Sequence, residues 1–225
     1  MTFLEANSQT RLLAEKTLSF NLMPCVELDD TWLETPSHSQ LYRVVRESSD
    51  AEPWLAQYLF DTFDIADRYW CDFSAPNTRL ALLDRRTLQK VCLHIGLVLR
   101  GPEIRAEVNG TAIKKLRSAV GAEAMDFVFR TAPLIGVPPD FAFDAGVDDI
   151  RLDLIALGAA YAIRHEAARE SAYITRFLFK LPREVSKILQ DYSQTSDIHE
   201  KTDALSAITR RVIKEAAPQW LPLFN

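Results

Sequence analysis

An all-α fold, one compact multi-helix domain of about eight to ten helices with little or no β-sheet, is what this sequence predicts, on three observations. Only 7 glycines occur in 225 residues, which leaves little turn chemistry for hairpins. Apolar residues recur at spacings of three and four, and no stretch sustains the period-two alternation of a half-buried strand. Hydrophobic residues make up 48% and charged residues 25%, the balance of a soluble folded protein rather than a disordered one. At this length a fold buries about 70% of its unfolded surface, so a core forms without covalent staples.

Residues 1–18 form a weak amphipathic pattern through Phe3, Leu4, Leu12 and Leu13, interrupted by Asn7-Ser8, and read as an N-terminal extension to a domain spanning 19–225. Leu28 to Leu33 reads as a short capped turn that drops Trp32 onto the core, followed by a polar loop over Thr35–Ser39. Pro53 opens a helix with Trp54, Leu55, Tyr58 and Leu59 at helical spacing. Asp61, Asp64 and Asp67 lie three apart beyond it, which on a helix makes a solvated arc of mutually repelling carboxylates.

The chain is organised around Asp84–Arg105. At about 100° per residue, Leu88, Val91, Cys92, Ile95, Val98 and Leu99 share one core-facing stripe. Gly101 suits a left-handed C-cap and Pro102 the first turn of the next helix. On the opposite arc Arg86, Lys90, Leu93, Leu97 and Arg100 make a second strip, charged at its ends and apolar in its middle. Gly96 beside it lets another backbone approach, at a cost of about 1 kcal/mol relative to alanine. The strip reads first as a second buried side of a central helix, and otherwise as a partner-binding face.

Asn109-Gly110-Thr111 ends one helix and caps the next, with Ile113, Leu116 and Val120 inward. Gly121 breaks the chain again before Ala122–Thr131, which carries Met125, Phe127, Val128 and Phe129. Pro133 and Pro138-Pro139 predict an extended passage and a subdomain boundary near 133–146. Val147–Arg169 reads as the longest helix, with Ile150, Leu154, Leu157 and Tyr161 on one face and small Gly158, Ala159 and Ala160 permitting close packing. Tyr173–Lys180 continues it. Pro182–Tyr192 is a short helix, Ser193–Thr195 a loop, and Lys201–Ala217 a helix with Leu205, Ile208, Val212 and Ala216 inward. Pro218 and Pro222 stop that helix, yet Trp220, Leu221, Leu223 and Phe224 follow, an apolar tail that docks on the chain's own core or enters a partner.

The sequence carries no motif of catalysis, cofactor or metal binding. His38, His94, His165 and His199 are scattered, and neither a phosphate-binding glycine loop nor a nucleophile elbow occurs. Cys25, Cys71 and Cys92 are odd in number and form no C-x-x-C pair, which fits a reducing compartment. No basic, apolar leader opens the chain and no apolar run approaches the length of a membrane span. The net charge of −5 is uneven: residues 1–75 carry 5 basic and 13 acidic side chains, whereas 76–135 carry 10 and 5. Such alternation suits docking onto partners of opposite charge. A helix-turn-helix in 182–214 is the alternative, a helical DNA-binding regulator, against which stand the acidic isoelectric point of about 5.4 and the lack of a base-reading face.

Ile95-Gly96-Leu97-Val98-Leu99, then Gly101 and Ile104-Arg105, resembles the most recognisable segment of the K-subunit family of bacterial type III secretion systems (SctK, including YscK). Phe20 through Pro24, Leu134-Ile135-Gly136, and an ending with Val212, Lys214, Pro218 and Leu223-Phe224 follow the family pattern in order, so the resemblance covers Ser19 to Asn225. It implies a non-enzymatic, all-α adaptor of the cytoplasmic sorting platform, peripheral at the inner membrane. Its implied partners are the D component of the inner-membrane ring, through its cytosolic domain, and the Q component of the pod. Through them it reaches the stator and ATPase, with no nucleic acid, no cofactor and no membrane insertion. The candidate partner-binding residues are Arg86, Lys90, Leu93, Leu97, Arg100, Trp220 and Phe224.

Overall fold

The computed structural model describes residues 3–32, 48–136, 148–163, 171–195 and 202–224. Among them are eleven α-helices, four 3₁₀ segments and no strand, in keeping with the all-α expectation. The helices are α1 (Phe3–Leu22), α2 (Glu52–Thr62), α3 (Arg85–Leu99), α4 (Gly101–Ala106), α5 (Gly110–Val120), α6 (Ala122–Arg130), α7 (Ala132–Ile135), α8 (Ile150–Ile163), α9 (Ser171–Phe179), α10 (Arg183–Thr195) and α11 (Thr202–Ala216). No described helix is long and apolar enough to cross a membrane.

Helices α3 and α8 form the axis. The Asp84 carboxylate caps α3, accepting from the Thr87 N–H at 2.9 Å and the Thr87 hydroxyl at 2.6 Å. Glu27 takes the Arg85 N–H at 2.7 Å, so two carboxylates sit at the positive end of the helix. Every residue from Val91 to Val98 is buried, and so is every residue from Leu154 to Ile163 on α8. A helix enclosed on all sides needs neighbours that approach closely, and here two glycines supply the approach. A Cβ on Gly96 would fall inside the Leu154 carbonyl of α8, and one on Gly158 would fall inside the Cys92 carbonyl of α3. The close contact expected at Gly96 is therefore reciprocal. Helices α6, α7 and α11 close around α3, and α10 packs on α8.

Several local expectations hold. Asn109 caps α5 through the Thr111 N–H at 2.9 Å, and Gly121, at φ +91°, separates α5 from α6. The Asp30–Trp32 turn is held by Asp29, which accepts from the Thr31 N–H and hydroxyl. It delivers the Trp32 indole N–H to the Leu181 carbonyl at 2.9 Å and its ring against Phe63 and Phe179 at 5.6 and 5.2 Å. The apolar tail winds into a 3₁₀ segment, Pro218–Phe224, whose Leu223 and Phe224 lie in the main core. Arg79 holds it there, donating to the Leu223 carbonyl at 2.8 Å.

Other expectations are corrected. Gly101 is not a left-handed cap: Arg100 ends α3 in right-handed geometry, and Gly101 opens α4. Trp54 is 78% exposed and Tyr58 also faces outward, because α2 buries Leu55, Ala56 and Leu59 instead. The three aspartates share no helical arc, since α2 stops at Thr62 and both Asp64 and Asp67 adopt positive φ in the turn beyond. Pro133 sits in the first turn of α7 rather than in an extended passage, while Pro138-Pro139 lies outside the described residues. Residues Ser193–Thr195 continue α10. The helix expected over Val147–Arg169 starts at Ile150 and is described to Ile163, and residues 164–169 lie outside the described residues. Helix α1 runs unbroken through Asn7-Ser8. Among the described residues α10 packs on α8, and α11 packs on α3 and on the Pro218–Phe224 segment.

Candidate partner-binding site

The residues that the sequence marks for partner binding separate into two groups. Leu93 and Leu97 are core, at 3% and 0% exposure, because α3 is enclosed on both sides. Phe224 is likewise fully buried. These three are removed from the accessible set, and the physical reason is the same for each: the chain covers its own apolar groups. Arg86 is exposed, and Lys90 and Arg100 are partly so. The Lys90 ammonium pairs with Glu123 of α6 at 2.9 Å, and its hydrogen bond and charge hold that carboxyl below the usual carboxylate range. Arg100 reaches Glu103 at 3.1 Å and Asp153 of α8 at 3.9 Å. Trp220 is half-buried, with the Lys16 ammonium 5.0 Å above its ring. Exposed ion pairs of this kind contribute about 0–1 kcal/mol, so these charges remain available for recognition.

His94, one turn from Lys90, is no candidate ligand or base. Its ring is buried, lies edge-on to Phe127 at 4.7 Å and places Nδ1 2.7 Å from the Lys90 carbonyl. Burial pushes its pKa down, reinforced by the Lys90 and Arg151 charges and opposed by the Lys90 carbonyl bond and Glu123. His38, His165 and His199 lie outside the described residues. Among the described residues no cluster of His, Cys, Asp and Glu is arranged to hold a metal ion. None of the three cysteines is in a disulfide; Cys25 and Cys92 are buried and Cys71 is exposed.

What sequence reasoning misses is a line of polar groups on α9 and its exit: Tyr173, Arg176 and Lys180. Charges at positions four apart within an otherwise apolar run, Ser171 to Leu181, are the available signal. All three side chains bind carbonyls. The Tyr173 hydroxyl donates to Thr78 at 3.1 Å, and Lys180 donates to Ala81 and Leu83 at 2.8 and 2.7 Å. Arg176 donates to Ala172 and Ile65 at 3.2 Å and to Asn21, at the end of α1, at 3.4 Å. Cations placed on the carbonyl ends of helices oppose the helix dipole and satisfy acceptors that water cannot reach. The three side chains therefore fasten α1, the 3₁₀ segment Thr78–Leu82 and the turn after α2 to α9. Arg176 and Lys180 also line a cleft with Lys16 and Glu27 that has room for one water-sized group.

Burial brings the Lys180 ammonium down to about 8 from 10.5, a shift opposed by Glu27 and Asp84 and assisted by Lys16. Between these values the unfolded chain still holds its proton while the folded chain has released it, so stability rises with pH through this window. The expected gain is on the order of 3 kcal/mol between pH 8 and 10.5, relative to Lys180→Met measured in parallel. Denaturant titrations of both proteins at several pH values check this, and a constant difference between them would show that Lys180 is not desolvated.

No curated protein and no solved structure matches the chain. A protein family does: the one described as YOP proteins translocation protein K (YscK) matches residues 15–225, from α1 through the docked tail. The Ile95–Leu99 segment that carries the sequence resemblance is the part of α3 where Gly96 meets α8, so the family's most recognisable stretch is here the packing axis of the fold. The chain belongs to the YscK family and is a component of type III secretion.

Proposed function

We propose that this protein is a non-enzymatic adaptor of the type III secretion sorting platform, joining the cytosolic domain of the ring's D component to the pod's Q component, and so stationed in the cytoplasm at the inner membrane. The observation that carries the reading is the family match across nearly the whole chain. The fold is consistent with it in kind: buried polar groups fasten helices together, and recognition is left to surface charge and surface apolar groups. Through its two partners the adaptor also serves the stator and the ATPase.

The accessible part of the second strip of α3, Arg86, Lys90 and Arg100, together with Trp220, is assigned to one of these contacts. Reversing exposed charges usually changes stability by about 0.5 kcal/mol or less. Arg86→Glu combined with Lys90→Glu is therefore expected to leave the melting temperature nearly unchanged while slowing association with an acidic partner surface, most visibly at low salt. The check is a binding titration of wild type and double mutant against each partner at two ionic strengths. Equal affinities for both partners would take this strip out of the interface.

A further inference from the structure

A second exposed surface, different in chemistry, lies where the turn after α1 packs on α2. Leu18, Leu22 and Val26 follow one another at intervals of four along the end of α1 and the turn after it, and are 58%, 45% and 45% exposed. The neighbours between them are buried: Phe20 and Asn21 on one side, Pro24 and Cys25 on the other. The fold brings further apolar groups to this stripe. The Asn21 side chain accepts the Trp70 N–H at 2.8 Å and donates to the Trp70 carbonyl at 2.8 Å, which sets Tyr69, 55% exposed, beside the end of α1. The Cys25 thiol, next to Val26 in the chain, lies 3.4 Å from the carbonyl of Glu52, two residues before Trp54. A tryptophan 78% exposed on a helix that already buries Leu55 and Leu59 contributes nothing to the core of its own chain.

The segment that carries Trp54 and Tyr69 is acidic. Residues 48–72 carry Asp50, Glu52, Asp61, Asp64, Asp67 and Asp72, against a single basic residue, Arg68, which is engaged with Asp64 at 2.8 Å. Five of those six carboxylates are exposed. Apolar groups in an acidic segment complement apolar groups rimmed by cations, and they repel an acidic partner. Clustered apolar groups that a folded monomer leaves in water mark an interaction surface, and aromatic groups dominate the energetics of such surfaces.

We infer that the surface formed by Leu18, Leu22, Val26, Trp54 and Tyr69 docks a basic amphipathic segment of a partner protein. It deepens the adaptor reading, on which it rests only for the partner's identity. An adaptor needs two recognition surfaces, and the acidic apolar one differs in charge from the basic strip of α3, so the two select different partners.

The test uses the full chain and two synthetic helical peptides of roughly 18 residues with the same apolar positions, one with lysine and one with glutamate at the polar positions. Fluorescence anisotropy is expected to show the lysine peptide bound at least about ten-fold more tightly, with the difference shrinking as salt rises. Leu22→Lys combined with Trp54→Ala is expected to lose about ten-fold or more in affinity for the lysine peptide, while thermal melting shows the variant folded. Equal binding of the two peptides by wild type, or equal binding of the lysine peptide by wild type and variant, overturns the inference. So does a wild-type dimer that the variant abolishes, because the surface then belongs to a second copy. If the variant melts early, Trp54→Ala alone, at the most exposed position, gives the same comparison. Failure of the adaptor reading is seen separately, as wild type that binds neither the D nor the Q component while the peptide result stands.

Discussion

Alanine in place of Gly158 is expected to destabilise the protein by at least about 3 kcal/mol, the upper end of what overpacking commonly costs. For a chain of this size that is a fall in melting temperature of roughly 6–12 °C. Two effects of opposite sign compete. Alanine is a better helix former than glycine by about 1 kcal/mol, so on propensity alone the substitution would stabilise α8. The added Cβ, however, would lie inside the Cys92 carbonyl, 2.7 Å from its carbon and 2.9 Å from the Gly96 nitrogen. These are backbone atoms at the centre of a buried helix, and no rotamer change moves them aside. Helix α3 must shift away from α8, which loosens the contacts of both. Gly96→Ala is expected to behave alike at the Leu154 carbonyl. Gly110→Ala is the control, since nothing lies within 4 Å of a Cβ there, and it should leave the melting temperature unchanged or raised. Stabilisation by Gly158→Ala would show that α3 and α8 do not cross this closely.

Phe224→Ala is expected to cost about 3–5 kcal/mol, the loss typical of truncating a buried phenylalanine. The ring is fully buried in the main core although it belongs to the last turn of the chain. Substitution is a cleaner probe than deleting the tail, because deletion also releases residues whose ordering opposes folding by about 1–2 kcal/mol each. An unchanged melting temperature with lost partner binding would instead make the tail part of an interface.

Legibility in the sequence follows the range of the forces involved. Asn109 and Gly121 act on their immediate neighbours, and they are readable. The stripe Leu88 to Val98 is readable because burial imposes a period on a helix. The close approach at Gly96 follows from a missing side chain, but its counterpart at Gly158 is fixed only by the crossing of two elements far apart in the chain. Helix α8 shows the limit most clearly. Buried on every side, it presents no polar face to reveal its orientation, so a single inward face through Ile150, Leu154, Leu157 and Tyr161 understates its burial. Arg176 and Lys180 escape sequence reasoning because their partners are backbone carbonyls, which leave no mark in a sequence. The helical spacing of Trp54, Leu55, Tyr58 and Leu59 leaves open which of them face inward, because the buried face of α2 is set by what lies beneath it, Leu28 and Phe179. Of the candidate site, the exposed cations are legible, and burial is the first reading of Leu93 and Leu97 and one of two readings of Phe224, a choice that only tertiary packing decides.

The most direct test of the adaptor reading is a three-component reconstitution. The cytosolic domain of the ring's D component and the pod's Q component are mixed with and without the full-length protein, and the products are separated by size with mass determination by light scattering. The account predicts that the two co-elute in one complex only when this protein is present. Their co-elution without it, or binding of this protein to neither of them, would contradict the account.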